Sequence, residues 1–301
     1  MNIIKRHILL FLLFSFSLKA IDWNKCYSIK NIEFFIKNHQ YVSIINSISL
    51  YTLDIDKVKV DVYIPELNKQ SCYKTLLVLP GWKFSRKKWF KETRLLKFIK
   101  KYQYIAIAPE MNISIYESQY FKETKLKWHK KPGMQFIEED LLPYFKTYGL
   151  FNNNYYNMGL GLSTGARGIV LIASRNPDLF YAIAALAGDY DQTLNPKDNL
   201  IRLTYGEYHL FKNRWETIDN PIYNIQKNGW NTHIYIGHGL KDTIVSYKYS
   251  KHLYQFLKSN FNNKIIVLHL CNDCKHDFSY WDSELEAVFN FYENNIKTNL
   301  K

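Results

Sequence analysis

Gly159-Leu160-Gly161-Leu162-Ser163-Thr164-Gly165-Ala166-Arg167-Gly168 is the stretch whose reading decides the fold, and it holds four of the chain's twelve glycines. Residues 155–160 lead in as an apolar-aromatic run with the character of a buried strand, and residues 166–174 lead out as a helix. Between them lies G-x-S-x-G with Ser163 at its centre, the pattern of a strand that turns so sharply into a helix that the serine backbone is strained. Gly161 and Gly165 suit such a turn because a Cβ at either would collide with the neighbouring strand or helix. The turn lifts the Ser163 hydroxyl above the sheet and sets it at a helix N-terminus, where free N–H groups favour a developing negative charge. An ordinary Gly-rich turn between strand and helix carries the same letters, so the surrounding chain has to decide.

Upstream, residues 41–54 and 57–65 are β-rich and could pair as an antiparallel hairpin at a sheet edge. Residues 75–79 form a short apolar run that stops at Pro80-Gly81, and residues 104–109 form another; both read as buried strands. Between them residues 85–102 carry apolar residues near helical spacing. Residues 112–132 have no period and read as a long loop, of the kind that is usually functional in a compact domain. Residues 136–148 read as an amphipathic helix that Pro143 should end or kink. Downstream, strands are expected at 180–187, 233–236 and 264–270, helices at 247–257 and 284–296, and an irregular insert with short helices at 191–231. Strands alternating with helices imply a mainly parallel sheet covered on both faces, the α/β class. The long loop and the insert then sit at the rim formed by the strand C-termini, where such sheets gather reactive groups. With 301 residues and 47% apolar content the chain can bury one full core.

The rim rule selects the reactive set. Ser163 follows one strand, Asp242 lies six residues beyond another, and His276 lies six residues beyond the last. A serine hydroxyl is a weak nucleophile; His276 would take its proton, and Asp242 would hold the imidazole tautomer and stabilise the imidazolium. Alternatives stay open. Asp189 and Asp191 follow the preceding strand and are the alternative source of the acid. His238 also follows a strand but stands beside Asp242 and would line the turn. Asp277 is read as a loop cap.

Residues 1–20 are set apart from the rest. Lys5 and Arg6 form a basic start, residues 8–18 are apolar apart from two serines, and Ala20 offers a small residue for cleavage. Eleven residues are short for a bilayer, so the segment reads as a secretory signal peptide, with an uncleaved tether as the alternative. Loss of Lys5, Arg6 and Lys19 takes the formal charge from +13 to +10. The remaining lysines are spread along the chain, which favours a solvated basic surface over nucleic-acid binding. A periplasmic or secreted location would oxidise Cys26, Cys72, Cys271 and Cys274. Three pairings are possible, with Cys26–Cys72 and Cys271–Cys274 preferred. Metal binding by the Cys271-x-x-Cys274 pair would need His276 and Asp277 as well and is the weaker reading.

Three further stretches carry a resemblance. Phe136-Ile137-Glu138-Glu139-Asp140-Leu141-Leu142-Pro143-Tyr144 precedes the elbow, Arg175-Asn176-Pro177-Asp178-Leu179-Phe180 follows its helix, and His276-Asp277-Phe278-Ser279-Tyr280-Trp281 ends the set. With Gly161–Gly165 these resemble the esterase D-like, or putative-esterase, branch of the α/β-hydrolases over roughly residues 60–295. The resemblance implies one α/β-hydrolase domain over residues 21–301 and serine-dependent hydrolysis of esters or thioesters, with no metal and no organic cofactor. It departs from the branch at Pro80-Gly81-Trp82, where His-Gly is common, and at Ser163-Thr164-Gly165-Ala166, where S-M-G-G is common. By analogy the N–H groups of Trp82 and Thr164 form the oxyanion hole. Trp82, Trp128, Tyr280 and Trp281 are expected to wall a pocket for a short acyl or aryl group. Lys122, Lys125, Lys127, His129, Lys130 and Lys131 would attract an anionic part of the ester substrate if the long loop overhangs the site. The function expected is that of an exported serine carboxylesterase. An acyltransferase or peptidase with the same triad, or a secreted binding protein on this scaffold, are the alternatives.

Overall fold

The computed structural model describes residues 26–69 and 71–299. The expected signal peptide lies outside the described residues. One sheet of nine strands has the order β1-β2-β3-β5-β4-β6-β7-β8-β9 among those residues. β1 (Ser43–Ile45), β2 (Ile48–Ile55) and β3 (Val58–Pro65) meander antiparallel, and β3 joins β5 (Tyr104–Pro109) antiparallel. From β5 onward β4 (Lys74–Leu79), β6 (Asn157–Leu162), β7 (Ala182–Leu186), β8 (His233–Gly239) and β9 (Ile266–Cys271) are parallel. The expected hairpin is β2 with β3, turned at Asp56 and Lys57 with φ of 45° and 65°, the left-handed pair that a tight hairpin requires. β1 adds a further strand at its outer edge. β4, β5, β6 and β7 are buried at every residue, which is why they read as unbroken apolar runs rather than alternating ones.

The pleat sorts side chains into two layers. Leu77, Leu79, Ile105 and Ile107 face one core, while Leu76, Val78, Ala106 and Ala108 face the other. The first is covered by α1 (Ile29–Lys37), α4 (Gly133–Gln135), α5 (Leu142–Thr147), α6 (Thr164–Arg175), α9 (Pro221–Asn228) and α10 (Lys248–Asn260). The second is covered by α2 (Lys88–Glu92), α3 (Leu95–Tyr102) and α11 (Phe278–Asn299). A smaller cluster of Ile115, Ile201, Tyr205 and Trp215 joins the long loop to the insert helices α7 (Asn199–Tyr205) and α8 (Lys212–Thr217). This third cluster roofs part of the rim. β4 has β5 on one side and β6 on the other, so the strand order reverses there. A crevice opens at such a switch point, between the C-terminal ends of β4 and β6.

Three expectations about helices need correction. Residues 85–102 are two helices, because Thr93 is extended (φ −136°, ψ 169°) and the next N–H, that of Arg94, donates to Asp282 Oδ1 of α11. Of the two outcomes expected at Pro143, an end or a kink, the helix does not end there. The chain stays helical from residue 133 to 147, and a π-helical segment, Phe136–Leu141, precedes the proline. The wider turn gives the ring the room it would otherwise take from the carbonyl four residues back. The last helix starts at Phe278, six residues before its expected start at 284, with Asp277 Oδ1 accepting from the Tyr280 N–H. Cys26–Cys72 and Cys271–Cys274 are the two disulfides, in the preferred pairing.

Candidate active site

The elbow is built as the glycine spacing requires. Ser163 has φ 54° and ψ −124°, a backbone region that L-residues rarely enter. A Cβ on Gly161 would lie 2.2 Å from the Gly165 carbonyl oxygen, and one on Gly165 would lie 2.5 Å from that of Leu79. The helix can therefore approach the sheet closely only with glycine at both positions. Gly81 is also close-packed: a Cβ there would stand 2.7 Å from Leu162 Cδ1 and 3.1 Å from Ser163 Cβ. The Gly81-Trp82 turn thus runs beside the serine. It is tied from behind by the Trp89 indole N–H to Leu79 O (3.2 Å) and by the Tyr116 hydroxyl to Pro80 O (2.8 Å).

Ser163, His276 and Asp242 come together at this rim. His276 Nε2 lies 2.9 Å from Ser163 Oγ and its Nδ1 lies 2.6 Å from Asp242 Oδ2. An ionised carboxylate only accepts, so Nδ1 carries the proton and Nε2 is left to accept from the serine hydroxyl. Asp242 Oδ1 accepts from the N–H groups of Ile244 and Val245, each at 2.8 Å. Burial alone would raise the Asp242 pKa; hydrogen bonds from His238, His276 and Val245 outweigh it and hold the carboxyl well below the usual carboxylate range. The acid is therefore an anion at neutral pH.

The rival acids are otherwise employed. Asp189 Oδ2 lies 3.0 Å from the Arg167 guanidinium, a fully buried side chain. Burial raises the Asp189 pKa, and Arg167 works against that rise. Asp191 Oδ1 caps Thr193 and accepts from Asn220. His238 is not merely a turn residue; it lies 3.2 Å from Asp242 Oδ2.

A cleft of about 1050 Å³ opens over Ser163 and His276, lined by Trp82, Phe84, Ile115, Leu200, Ile201 and Val245 among others. Of the expected aromatic walls only Trp82 lines it. Trp128 packs edge-on against Phe136, and Tyr280 and Trp281 are buried in α11 (2% and 0% exposed), with Trp281 edge-on to His276. They turn inward because the helix begins early enough to include them. The loop lysines do not line the cleft either. Lys131 pairs with Asp140 and Glu139, and Lys127 lies over the Tyr120 ring. The charged lining is Asp189, Asp198 and Asp242 with Arg167 and Lys248.

Several groups escaped the sequence reading. Arg167 also donates to Gln192 Oε1 and Asp219 O, and so anchors the insert to α6. Glu117 is buried in the long loop, where it accepts from Ser114 Oγ, Ile115 N–H and Gly133 N–H. Burial pushes its carboxyl up to about 7 against those bonds. Only the position of Arg167, four residues after the serine on the helix side that faces the insert, could have signalled its part.

The mainly parallel sheet, the elbow and the order of reactive residues along the chain define an α/β-hydrolase. Within that superfamily the chain belongs to the prolyl oligopeptidase family, which matches residues 97–299, and it is an enzyme of the serine-hydrolase class. Comparison with curated sequences gives no match. Among solved structures, an S-formylglutathione hydrolase from Agrobacterium tumefaciens is 12% identical with a TM-score of 0.65, over 85% of this chain and 99% of that one. One from Staphylococcus aureus is 15% identical with a TM-score of 0.63, over 81% and 98%. A ferulic acid esterase is 17% identical with a TM-score of 0.60, over 83% and 98%. At these identities the likeness is one of fold.

Proposed function

We propose that the chain is an exported serine carboxylesterase that hydrolyses short-chain or aryl esters, or thioesters, through an acyl-enzyme. The observation that carries the reading is the unbroken relay from Asp242 through His276 to Ser163, opening onto a mainly apolar cleft. Ser163 Oγ attacks the carbonyl carbon as its proton passes to His276 Nε2. The tetrahedral oxyanion accepts from the N–H groups of Trp82 and Thr164, the first beside the serine and the second opening α6. Collapse breaks the ester bond, and His276 returns the proton to the departing alkoxide or thiolate. Water, deprotonated by His276, then attacks the acyl carbon and regenerates Ser163.

The cleft volume and the Trp82 wall suit a flat acyl group; the solved relatives named as a ferulic acid esterase and S-formylglutathione hydrolases fit ester or thioester chemistry. The loop lysines stand away from the cleft and offer no attraction there for an anionic substrate group. Two disulfides support an oxidising, non-cytoplasmic compartment, and no described helix is long and apolar enough to cross a membrane. Family membership favours one second reading, a peptidase with the same triad.

Fluorophosphonate labelling with the adduct mapped by mass spectrometry, beside rates on p-nitrophenyl acetate and on a matched anilide, tests both. Label on Ser163, loss of labelling in Ser163→Ala, and a rate on the ester far above that on the anilide are expected. Label elsewhere would remove Ser163 from the mechanism, and a faster anilide would favour the peptidase.

A further inference from the structure

We infer that His238 is a positioning residue of the relay, clamping the turn that carries Asp242 through the Val245 carbonyl and holding its Nε2–H edge beside the oxygen of Asp242 that also holds His276. The inference rests on the proposed roles of Ser163, His276 and Asp242 and goes one step behind them. His238 is fully buried in β8, and both of its ring nitrogens are engaged. Nδ1 lies 2.7 Å from Ser250 Oγ of α10, and Nε2 lies 2.9 Å from the Val245 carbonyl oxygen. A carbonyl can only accept, so Nε2 carries the proton and Nδ1 accepts from the Ser250 hydroxyl. The same Nε2–H is 3.2 Å from Asp242 Oδ2, with both side chains at 0% exposure.

Asp242 thus accepts three hydrogen bonds, from two backbone N–H groups on Oδ1 and from His276 on Oδ2, and the Nε2–H edge of His238 stands 3.2 Å from that same Oδ2. The positive N–H edge of His238 lies against Oδ2 and lowers the charge that this oxygen offers to His276. Val245 is held twice, its N–H on Asp242 and its carbonyl under His238. The turn from 242 to 245 is therefore clamped to β8 and α10 by one imidazole. Removal of that donor should leave Oδ2 a stronger acceptor for His276 Nδ1–H and favour the imidazolium, which raises the pH at which the base is lost. Other charged or titratable groups around the pair are Asp189, Arg167 and Lys248 along the cleft, Tyr190 beside Ser250, and Tyr280 and Glu284 of α11 behind it. Among the described residues none of these donates to Asp242. A side chain that merely filled space between β8 and α10 would leave the relay's pH dependence alone.

The test is the pH profile of kcat/KM on p-nitrophenyl acetate for wild type, His238→Phe and His238→Gln. The Phe variant keeps a ring of similar size without the donor; the Gln amide can reach the position of Nε2. Expected for His238→Phe is a loss of about tenfold or more in kcat/KM, with the acid limb moved up by about half a pH unit or more. His238→Gln should return the limb to its wild-type position. A folded Phe variant with an unmoved limb, or a Gln variant that fails to restore it, overturns the inference. If the Phe variant does not fold, nitrogen NMR of the wild-type imidazoles decides. A proton on Nε2 of His238, with Nδ1 bare, is the expected result, and a proton on Nδ1 instead overturns it. Ser163→Ala run alongside separates the two levels: an active Ser163→Ala refutes the relay itself, whereas an inactive one with unmoved His238 profiles refutes only this step.

Discussion

Removal of the two disulfides in turn should dissociate stability from activity. Cys271–Cys274 joins residues three apart, while Cys26–Cys72 joins residues 46 apart. Chain entropy alone assigns the short bridge about 2 kcal/mol and the long one about 4 kcal/mol. In melting temperature this corresponds to shifts of about 4–8 °C and about 8–16 °C. Their places in the fold predict the opposite order for rate. The Leu240 N–H donates to the Cys271 carbonyl at 2.8 Å and the Lys241 N–H to the Cys274 carbonyl at 3.0 Å. A Cβ on Gly239 would stand 2.3 Å from that same Cys274 oxygen. The short disulfide loop is thus the surface on which the turn to Asp242 rests, two residues ahead of His276. A displacement of about 1 Å in such a base can cost on the order of a hundredfold in rate. Cys271→Ser/Cys274→Ser should therefore lose ten- to a hundredfold in kcat with little change in KM (on the order set by that displacement). Cys26→Ser/Cys72→Ser should keep its rate per folded molecule at 20 °C while melting earlier. Calorimetry and active-site titration on the same preparations give both quantities. A Cys271→Ser/Cys274→Ser protein with undiminished kcat would show that this loop positions neither residue.

Asp242→Asn should lower kcat by about 10³–10⁴ with the fold intact, because the amide favours the wrong His276 tautomer; an unaffected rate would return the acid to Asp189 or Asp191. Asp189→Asn should instead cost about 1–3 kcal/mol of stability by weakening the Arg167 pair, with the rate per folded molecule within a fewfold of wild type, as denaturant titration and kinetics would show. Gly165→Ala should give insoluble or inactive protein, since its Cβ would meet backbone oxygens of Leu79 and Pro80 rather than a movable side chain; normal solubility with full activity would contradict the close approach. The Glu117 carboxyl is raised to about 7 in the folded protein, so the folded state binds a proton that the unfolded chain has already released. Its contribution favours folding below about pH 4.5 and is lost as pH rises through 7, about 3 kcal/mol across that window. Glu117→Gln should flatten this part of the Tm profile between pH 5 and 8, and an unchanged slope would assign it to other groups.

What the sequence reveals of this fold follows from which physical rules act locally. The elbow was legible because steric exclusion at Gly161 and Gly165 depends on a few neighbouring residues and leaves a fixed glycine spacing, which the strand before it and the helix after it distinguish from an ordinary Gly-rich turn. β4 to β7 were legible because burial on both faces leaves them almost wholly apolar, Lys74, Thr75 and Asn157 standing only at the starts of β4 and β6. Asp242 and His276 were legible because parallel strands send their C-termini to one rim, which turns chain order into spatial order. The misread residues depend on partners far away in the chain. Trp281 and Tyr280 have the composition of a pocket wall, and only the Asp277 cap, which starts α11 at Phe278, turns them into core. The break at Thr93 needs Asp282, and the π-helical turn before Pro143 has no local signature. His238 shows the same division within the site. Its place after a strand was visible, but its tautomer is set by Ser250 and by the carbonyl of Val245, in a turn that exists only once Asp242 has capped it. A residue that reacts can be recognised from its type and spacing; one that orients a reacting residue is recognisable only from what its second hydrogen bond touches.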